Sequence, residues 1–386
     1  MMGQGAILLA TKMLIHKKKR LAISLGAVSF AVLVMFMEQG FFHGVAETQA
    51  RMLAKYNADL VMMDLRRTDL GKYLMNFDRA RMYQALAVPG VRDAFPVYMT
   101  RADLKNLQTG VTRGIQVFAF PPDRRPFNID WSKSYNDLLK IPGMVLFDKK
   151  SRKNIYGTIR LHERIKLDGK YRWIAGYFEL GPNFLFDGAV LMSERTWLEG
   201  KPAKEAEKIS YAFIKAKPGT DIEQLRKRIL NALPRDVLVL TPEELSRNEV
   251  MFTIKRAPIG AVFGVGMIVG FVIGVMICYQ ILYNEVTDHI PQYTTLRAIG
   301  FADRFLLGAV IRESVLLAVL GFIPGFLLSF VLYRVIEGGT GILMRHSFLR
   351  AATIFALAVI MCVISGVLAA RKALASDPAD LYSSRW

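Results

Sequence analysis

The sequence predicts a membrane α-helical protein with four transmembrane helices and a large extracytoplasmic α+β domain inserted between helices 1 and 2. Three observations predict it. The chain has 386 residues, 52% of them hydrophobic, a high share for a wholly soluble protein. Its apolar residues gather in four runs, each as long as the roughly 20 residues needed to cross a bilayer core. A long stretch of ordinary soluble composition separates the first run from the second.

The first run, "LAISLGAVSFAVLVMFMEQGFF" (21–42), follows "KKKR" and so resembles a signal peptide, with "GVA" before Glu47 as a possible cleavage site. It is longer than a signal-peptide core and has no small-residue tail before Phe41 and Phe42, so it reads as a retained helix. The later runs are residues 257–283, 314–333 and 352–370. Cysteines Cys278 and Cys362 fall within them, so the intervening domain has no disulfide framework.

Basic flanks orient the spans. Lys12, Lys17, Lys18, Lys19 and Arg20 precede the first run with no acid among them, which places residues 1–20 in the cytoplasm. The expected order is helix 1 over 21–44, the exported domain over 45–255, and helix 2 over 256–283. A cytoplasmic loop (284–310), helix 3 (311–335) and a short outer loop (336–351) follow. Helix 4 (352–371) and a cytoplasmic tail (372–386) complete the chain. Arg371 and Lys372 agree with this order; Arg345 and Arg350, in the outer loop, run against it.

Local signals in the exported domain read as mixed α+β, in two subdomains. "ADLVMMDL" (58–65) is a strand, and residues 76–99 read as helix, Pro-Gly turn and strand. "GIQVFAF" (114–120) is a strand stopped by Pro121 and Pro122. Asp168-Gly169, within an alternating stretch, signals a hairpin. Residues 209–245 read as strand, turn, amphipathic helix opened by Thr220 or Asp221, then strand. The net charge of the chain is +18, and residues 43–256 hold 37 Lys and Arg against 25 Asp and Glu. On an exported domain that excess is either a solvated basic surface or suited to anionic lipid or an acidic partner, rather than to nucleic acid.

No catalytic constellation emerges. His43 and His162 lack a second ligand at metal spacing, Asp123-Arg124-Arg125 reads as a solvated turn, and neither G-x-S-x-G nor H-E-x-x-H occurs. With no G-x-x-x-x-G-K-[ST] phosphate loop either, the chain is expected not to be an enzyme, and to hold no metal or cofactor of its own.

Within the spans, Glu38 is an acid near the outer interface, Pro324-Gly325 predicts a kink or break, and the glycines 260, 264, 266, 270 and 274 offer a small face for close helix approach. The loop after helix 2, "NEVTDHIPQYTTLRAIGF", exceeds what a plain connection needs. Val286, Ile290, Tyr293 and Leu296 or Arg297 recur at helical spacing, and Gly300 suits a helix stop. Such an amphipathic helix either docks a soluble partner or lies on lipid.

"TTLRAIGF" after the second span resembles the cytoplasmic signature of the MacB/FtsX-like permease family of ATP-binding-cassette (ABC) assemblies. The layout of spans and the tail "ARKALASDPADL" are similar too. The likeness is strongest to the DevC-type branch, through "MFMEQGFF", "ADLVMMDL", "DHIPQYTTLRAIGF" and "ESVLLAVLGFIPGF". Where the wider family often reads Glu-Ile-Gly, this chain has Gln292, Tyr293 and Thr294. The resemblance implies a homodimer working with a separate ABC ATPase subunit, which would hold the ATP and Mg. It implies a coupling helix in the loop, with Asp288, His289, Tyr293, Leu296, Arg297 and Gly300 as its contact residues. It further implies an inner-membrane export pump for a lipid-like or amphipathic substrate, completed by a periplasmic membrane-fusion adaptor and a TolC-like outer-membrane duct. An FtsX-like regulator of an extracytoplasmic hydrolase and a lipoprotein-carrier type permease are the rivals within the family. A ligand sensor and a membrane-bound enzyme are rivals outside it.

Overall fold

The computed structural model describes residues 18–67, 69–72, 74–107, 110–130, 132–255, 258–290 and 303–375. They divide into two compact units: those up to Phe42, those within Pro258–Ile336 and those from Met344 on form one; those within His43–Ala257 with Glu337–Leu343 form the other. The first described helix, α1 (Lys18–Ala54), is unbroken for 37 residues, so its last three turns belong to the second unit.

The second unit is built on a nine-stranded sheet. In chain order its elements are β1 (Leu60–Asp64), β2 (Phe77–Asp78), α2 (Arg79–Leu86), β3 (Val91–Lys105) and β4 (Thr112–Phe120). Then come α3 (Lys133–Lys140), β5 (Met144–Asp148), α4 (Lys153–Tyr156), β6 (Arg164–Leu167), β7 (Lys170–Phe178) and β8 (Ala189–Ser193). The last are α5 (Glu194–Leu198), α6 (Ala203–Ala206), β9 (Lys208–Ile209), β10 (Tyr211–Ala216), α7 (Ile222–Ala232), β11 (Val237–Leu240) and α8 (Pro242–Lys255).

The strands run β11-β1-β10-β3-β4-β8-β5-β7-β6, and β2 pairs apart with β9. Because β6 also pairs with β3 (Leu104 opposite Leu167), six strands from β3 round to β6 close into a ring. The 15-residue β3 makes this possible: its first half pairs with β10 and its second half with β4 and β6. The two subdomains expected from the sequence are thus two ends of one sheet sharing a strand.

Local chemistry explains the turns. Asp168 and Gly169 both take positive φ, 45° and 80°, as the tight β6–β7 hairpin requires. Asp221 caps α7 by accepting from the backbone N–H groups of Glu223 and Gln224. One apolar face of the sheet buries Leu60, Ile115, Val190 and Ile214 with Leu225 and Ile229 of α7. The other buries Phe95, Phe118, Phe127 and Phe213 with Met52 and Leu53 from the end of α1.

The first unit combines the earlier part of α1 with α9 (Pro258–Asp288), α10 (Asp303–Thr340) and α11 (Phe348–Ala375). Among the described residues, four helical segments are long and apolar enough to cross a membrane: Leu21–Ala54, Gly260–Asp288, Leu307–Thr340 and Phe348–Lys372. These helices overrun the expected loop bounds: α9 takes in Asn284–Asp288 and α10 begins at Asp303. Of the kink or break expected at Pro324-Gly325, the break is absent, since α10 continues through Pro324. A membrane helix tolerates the lost N–H where neighbours re-satisfy the backbone.

Small residues set the packing. A Cβ on Gly325 would fall 2.7 Å from the Ser29 carbonyl oxygen of α1, and Ser29 Oγ donates to the Gly321 carbonyl at 2.9 Å. Tyr333 donates its hydroxyl to the Phe36 carbonyl at 2.6 Å. On α9, Gly266 lies against the Glu38 carboxylate, Gly270 against Val34, and Gly274 against Met361 and Ala31. The sequence-predicted small face is therefore a contact face at these three positions, while Gly264 faces open space.

Candidate functional site

Two regions carry the functional question. The first is the end of the helical unit that leads into the loop. There Val286 of α9, Val310 of α10 and Ala370 of α11 are buried together, with Tyr283, Ile290 and Leu307 packed on them. The apolar repeat that begins at Val286 and Ile290 therefore starts inside the helix packing. Asp288 is the last residue of α9, and His289 donates its backbone N–H to the Val286 carbonyl at 3.1 Å. Tyr293, Leu296, Arg297 and Gly300, the rest of the coupling helix expected over 286–300, lie outside the described residues. Sequence reading passed over Glu313, which α10 holds at 7% exposure against Glu285 of α9. It stands near the start of the expected helix 3 (311–335), one residue before the apolar run that begins at Ser314, where an acid draws no notice.

The second region is a stalk within the α+β unit, formed where the end of α1 lies along α8. Ser246 Oγ of α8 donates to the Ala50 carbonyl of α1 at 3.0 Å. Thr253 Oγ1 donates to Gln49 Oε1 at 3.5 Å, and Gln49, Glu249 and Thr253 are all buried. Both helices were legible in the helix-compatible composition of "GVAETQARMLAKYN" and "EELSRNEVMFTIKR", which have no proline and no glycine after Gly44. The polar clasp was not, because isolated Ser, Thr and Gln carry no periodic signal.

The start of α8 is fixed by Thr241-Pro242-Glu243-Glu244. Glu244 N–H donates to Thr241 Oγ1 at 3.1 Å and Thr241 N–H donates to Glu244 Oε2 at 3.0 Å, a reciprocal capping box with proline at the first helical position. Arg226 of α7 adds bonds of 2.7 and 2.8 Å to the same carboxylate. Burial alone would raise the Glu244 pKa, but the Thr241 N–H and Arg226 outweigh it and hold the group below its ordinary value.

A third segment joins the stalk. Leu343 N–H donates to Thr48 Oγ1 at 2.9 Å, while Thr48 donates to the Gly44 carbonyl of its own helix at 2.6 Å. A Cβ on Gly44 would fall 2.8 Å from the Leu343 carbonyl oxygen, so only glycine admits the 337–343 segment here.

The loop residues His162 and Asp123–Arg125 form no site. His162 takes φ 59° and donates its N–H to the Ile174 carbonyl; Arg124 pairs with Asp93 at 3.2 Å and Asp123 at 3.5 Å. Among the described residues no group of three His, Cys, Asp or Glu is placed to hold a metal.

Comparison with known proteins adds a class. Residues 264–378 match the FtsX-like permease C-terminal family, so the part of the chain after the α+β unit is similar to FtsX-like permeases. No curated protein matches the chain. Among solved structures, the chain is similar to the extracellular domain of the noncanonic ABC-type transporter YknZ from Gram-positive bacteria. That match has 12% identity and a TM-score of 0.36, over 48% of this chain and 100% of that one. It is also similar to the periplasmic region of MacB from Actinobacillus actinomycetemcomitans, with 9% identity and a TM-score of 0.36, over 53% and 95%. A domain of a putative permease from Porphyromonas gingivalis shows 15% identity and a TM-score of 0.29, over 47% and 85%.

Proposed function

We propose that this chain is the permease subunit of an ABC-type assembly, working in the inner membrane as a homodimer with a separate ATPase inside the cell. The observation that carries the reading is the FtsX-like match over 264–378 in a chain whose first span continues as one helix to Ala54 of the α+β unit. ATPase closure would push on residues 284–310, chiefly Asp288, His289, Tyr293, Leu296, Arg297 and Gly300. The displacement would leave through α1 and α8, whose clasp makes them one stalk. A stiff helical pair transmits movement that a flexible linker absorbs.

The finer reading is an export pump of the DevC type, with a periplasmic adaptor and an outer-membrane duct expelling a lipid-like or amphipathic substrate. The four apolar runs show no line of polar groups in the sequence for a hydrophilic path, which suits cargo taken from outside the inner membrane. A second copy would cover the exposed apolar face of α9, where Val262, Val265, Val269, Val272 and Met276 point outward.

The test is purification in mild detergent with identification of bound proteins. An ABC ATPase and a membrane-fusion adaptor are the expected companions; a wall hydrolase in place of the adaptor would assign the chain to the regulator class instead. Replacement of Leu296 or Arg297 should detach or uncouple the ATPase. A variant that still binds the ATPase and stimulates it normally would overturn the coupling assignment.

A further inference from the structure

The α+β unit contains a pocket of about 730 Å³ whose wall is assembled from four separate chain segments. The end of α1 contributes Arg51 and Lys55, and the turn after β5 with the start of α4 contributes Lys149, Lys150, Arg152 and Lys153. Residues 180–182 after β7 and the segment from Glu337 to Leu343 close it. Six cations therefore face one concavity, with Glu337 as the only carboxylate among its lining residues.

Some of these charges are compensated nearby. Lys150 pairs with Glu179 at 2.9 Å and Arg152 with Asp187 at 2.5 Å; Arg152 Nε also donates to the Thr340 carbonyl at 2.8 Å, capping the end of α10. Lys55 donates to the carbonyls of Glu179 and Leu180 at 3.2 and 3.1 Å but meets no carboxylate at ion-pair distance among the described residues. Arg51, Lys149 and Lys153 likewise have no carboxylate within ion-pair distance among the described residues, and their side chains are exposed at the rim. Burial lowers the Lys55 pKa, and the positive neighbours Lys150 and Arg51 lower it further.

The wall is held rigidly. Asp148, fully buried, accepts from the N–H groups of Lys150 (3.0 Å), Leu180 (3.1 Å) and Gly181 (2.8 Å), so one carboxylate folds two of the four segments. Gly341 takes φ +71° and sits so near Pro182 that a Cβ would fall 2.4 Å from its Cγ. Concentrating cations on a preformed concavity costs Coulomb energy unless an anion fills it.

We infer that this pocket binds a phosphate-bearing anion, with Arg51, Lys149 and Lys153 as its direct cationic contacts and Lys55 at its base. Arginine and lysine together suit phosphate oxygens, the first as a planar fork and the second as a point charge. Such a group is supplied either by the headgroup of an anionic lipid or by a soluble phosphate ester. A small concave site favours either over the broad face an acidic protein needs. The lipid source alone rests on the reading of α1 and α10 as membrane spans; a soluble ligand tests the pocket without it.

The experiment uses the full chain in phosphatidylcholine nanodiscs, titrated with inorganic pyrophosphate and followed by ³¹P NMR line broadening. In parallel, native mass spectrometry scores retention of phosphatidylglycerol against phosphatidylcholine. The variant Arg51→Gln/Lys149→Gln/Lys153→Gln is compared with Lys105→Gln/Arg113→Gln/Lys227→Gln, which removes the same charge from exposed sites elsewhere. We expect the first to weaken binding by about tenfold or more, through lost charge-assisted bonds, and the second to leave it unchanged. Thermal melting in phosphate-free buffer confirms folding, and single Lys149→Gln serves if the triple variant melts early. Retention of phosphatidylglycerol without pyrophosphate binding assigns the lipid source; pyrophosphate binding without lipid retention assigns the soluble one. Equal loss in both triple variants, or binding of neither probe, overturns the proposal, and capture of an acidic polypeptide in their place would make the pocket a protein dock.

Discussion

Ser246 of α8 donates its hydroxyl to the backbone carbonyl of Ala50 on α1, 196 residues away in the chain, across 3.0 Å. This bond and the Gln49–Thr253 pair fasten the entering and leaving helices of the α+β unit to one another. Inserting Gly-Gly-Ser-Gly after Arg247 should release the clasp and make α8 compliant. The expected outcome is loss of export with membrane insertion, adaptor binding and ATP hydrolysis retained. Export at the unmodified rate would remove the mechanical role assigned to the stalk.

Acid should loosen the stalk from its far end. The depressed pKa of Glu244 means its ionised form is favoured by folding. Its contribution is fully present above the unfolded value of about 4.3 and fades as pH falls through the lower folded value. Glu244→Gln should cost about 1 kcal/mol, the scale of a lost helix cap. It should also flatten the acid limb of a melting-temperature profile; an unchanged limb would place the acid sensitivity elsewhere.

Packing of the spans gives a third expectation. Gly325→Ala places a methyl group 2.7 Å from a backbone oxygen of α1, an atom that cannot turn aside, whereas Gly264→Ala points into open space. The first should destabilise the detergent-solubilised protein by about 1–3 kcal/mol and the second hardly at all. Equal melting temperatures for the two variants would contradict the α1–α10 contact.

Topology is checked by labelling. In a Cys278→Ser/Cys362→Ser background, Lys149→Cys should react with an impermeant thiol reagent in intact cells and Asp303→Cys only after permeabilisation. Equal labelling of both in intact cells would refute the orientation read from Lys12 to Arg20.

Much of this was legible in the chain because it is local. Apolar runs mark helices, Asp168-Gly169 marks its hairpin, and Asp221 marks the start of α7, each through chemistry confined to a few neighbours. The ring closure at Leu104 and Leu167 was not legible, since pairing across 63 residues leaves no mark on either partner's sequence. The basic pocket was hidden for the same reason: Lys149, Lys150, Arg152 and Lys153 carry no motif, and only the fold sets Arg51 and Gly341 beside them. Pro324 left two outcomes open, a kink or a break, and the continuous α10 excludes the break. Its rule as a helix breaker comes from helices in water, whereas in α10 it lies within a segment packed on α1.

The shared strand β3 has a consequence for how such a domain could change over time. A protein made of two separable modules can swap one by recombination at the seam between them. Here the boundary falls inside a single strand, between Val97 and Tyr98, and replacing either half would leave Val91–Lys105 unpaired along part of its length. Drift in size is therefore confined to hairpin tips and connections, and any ancestor that doubled or lost a module had to do so before β3 became common property.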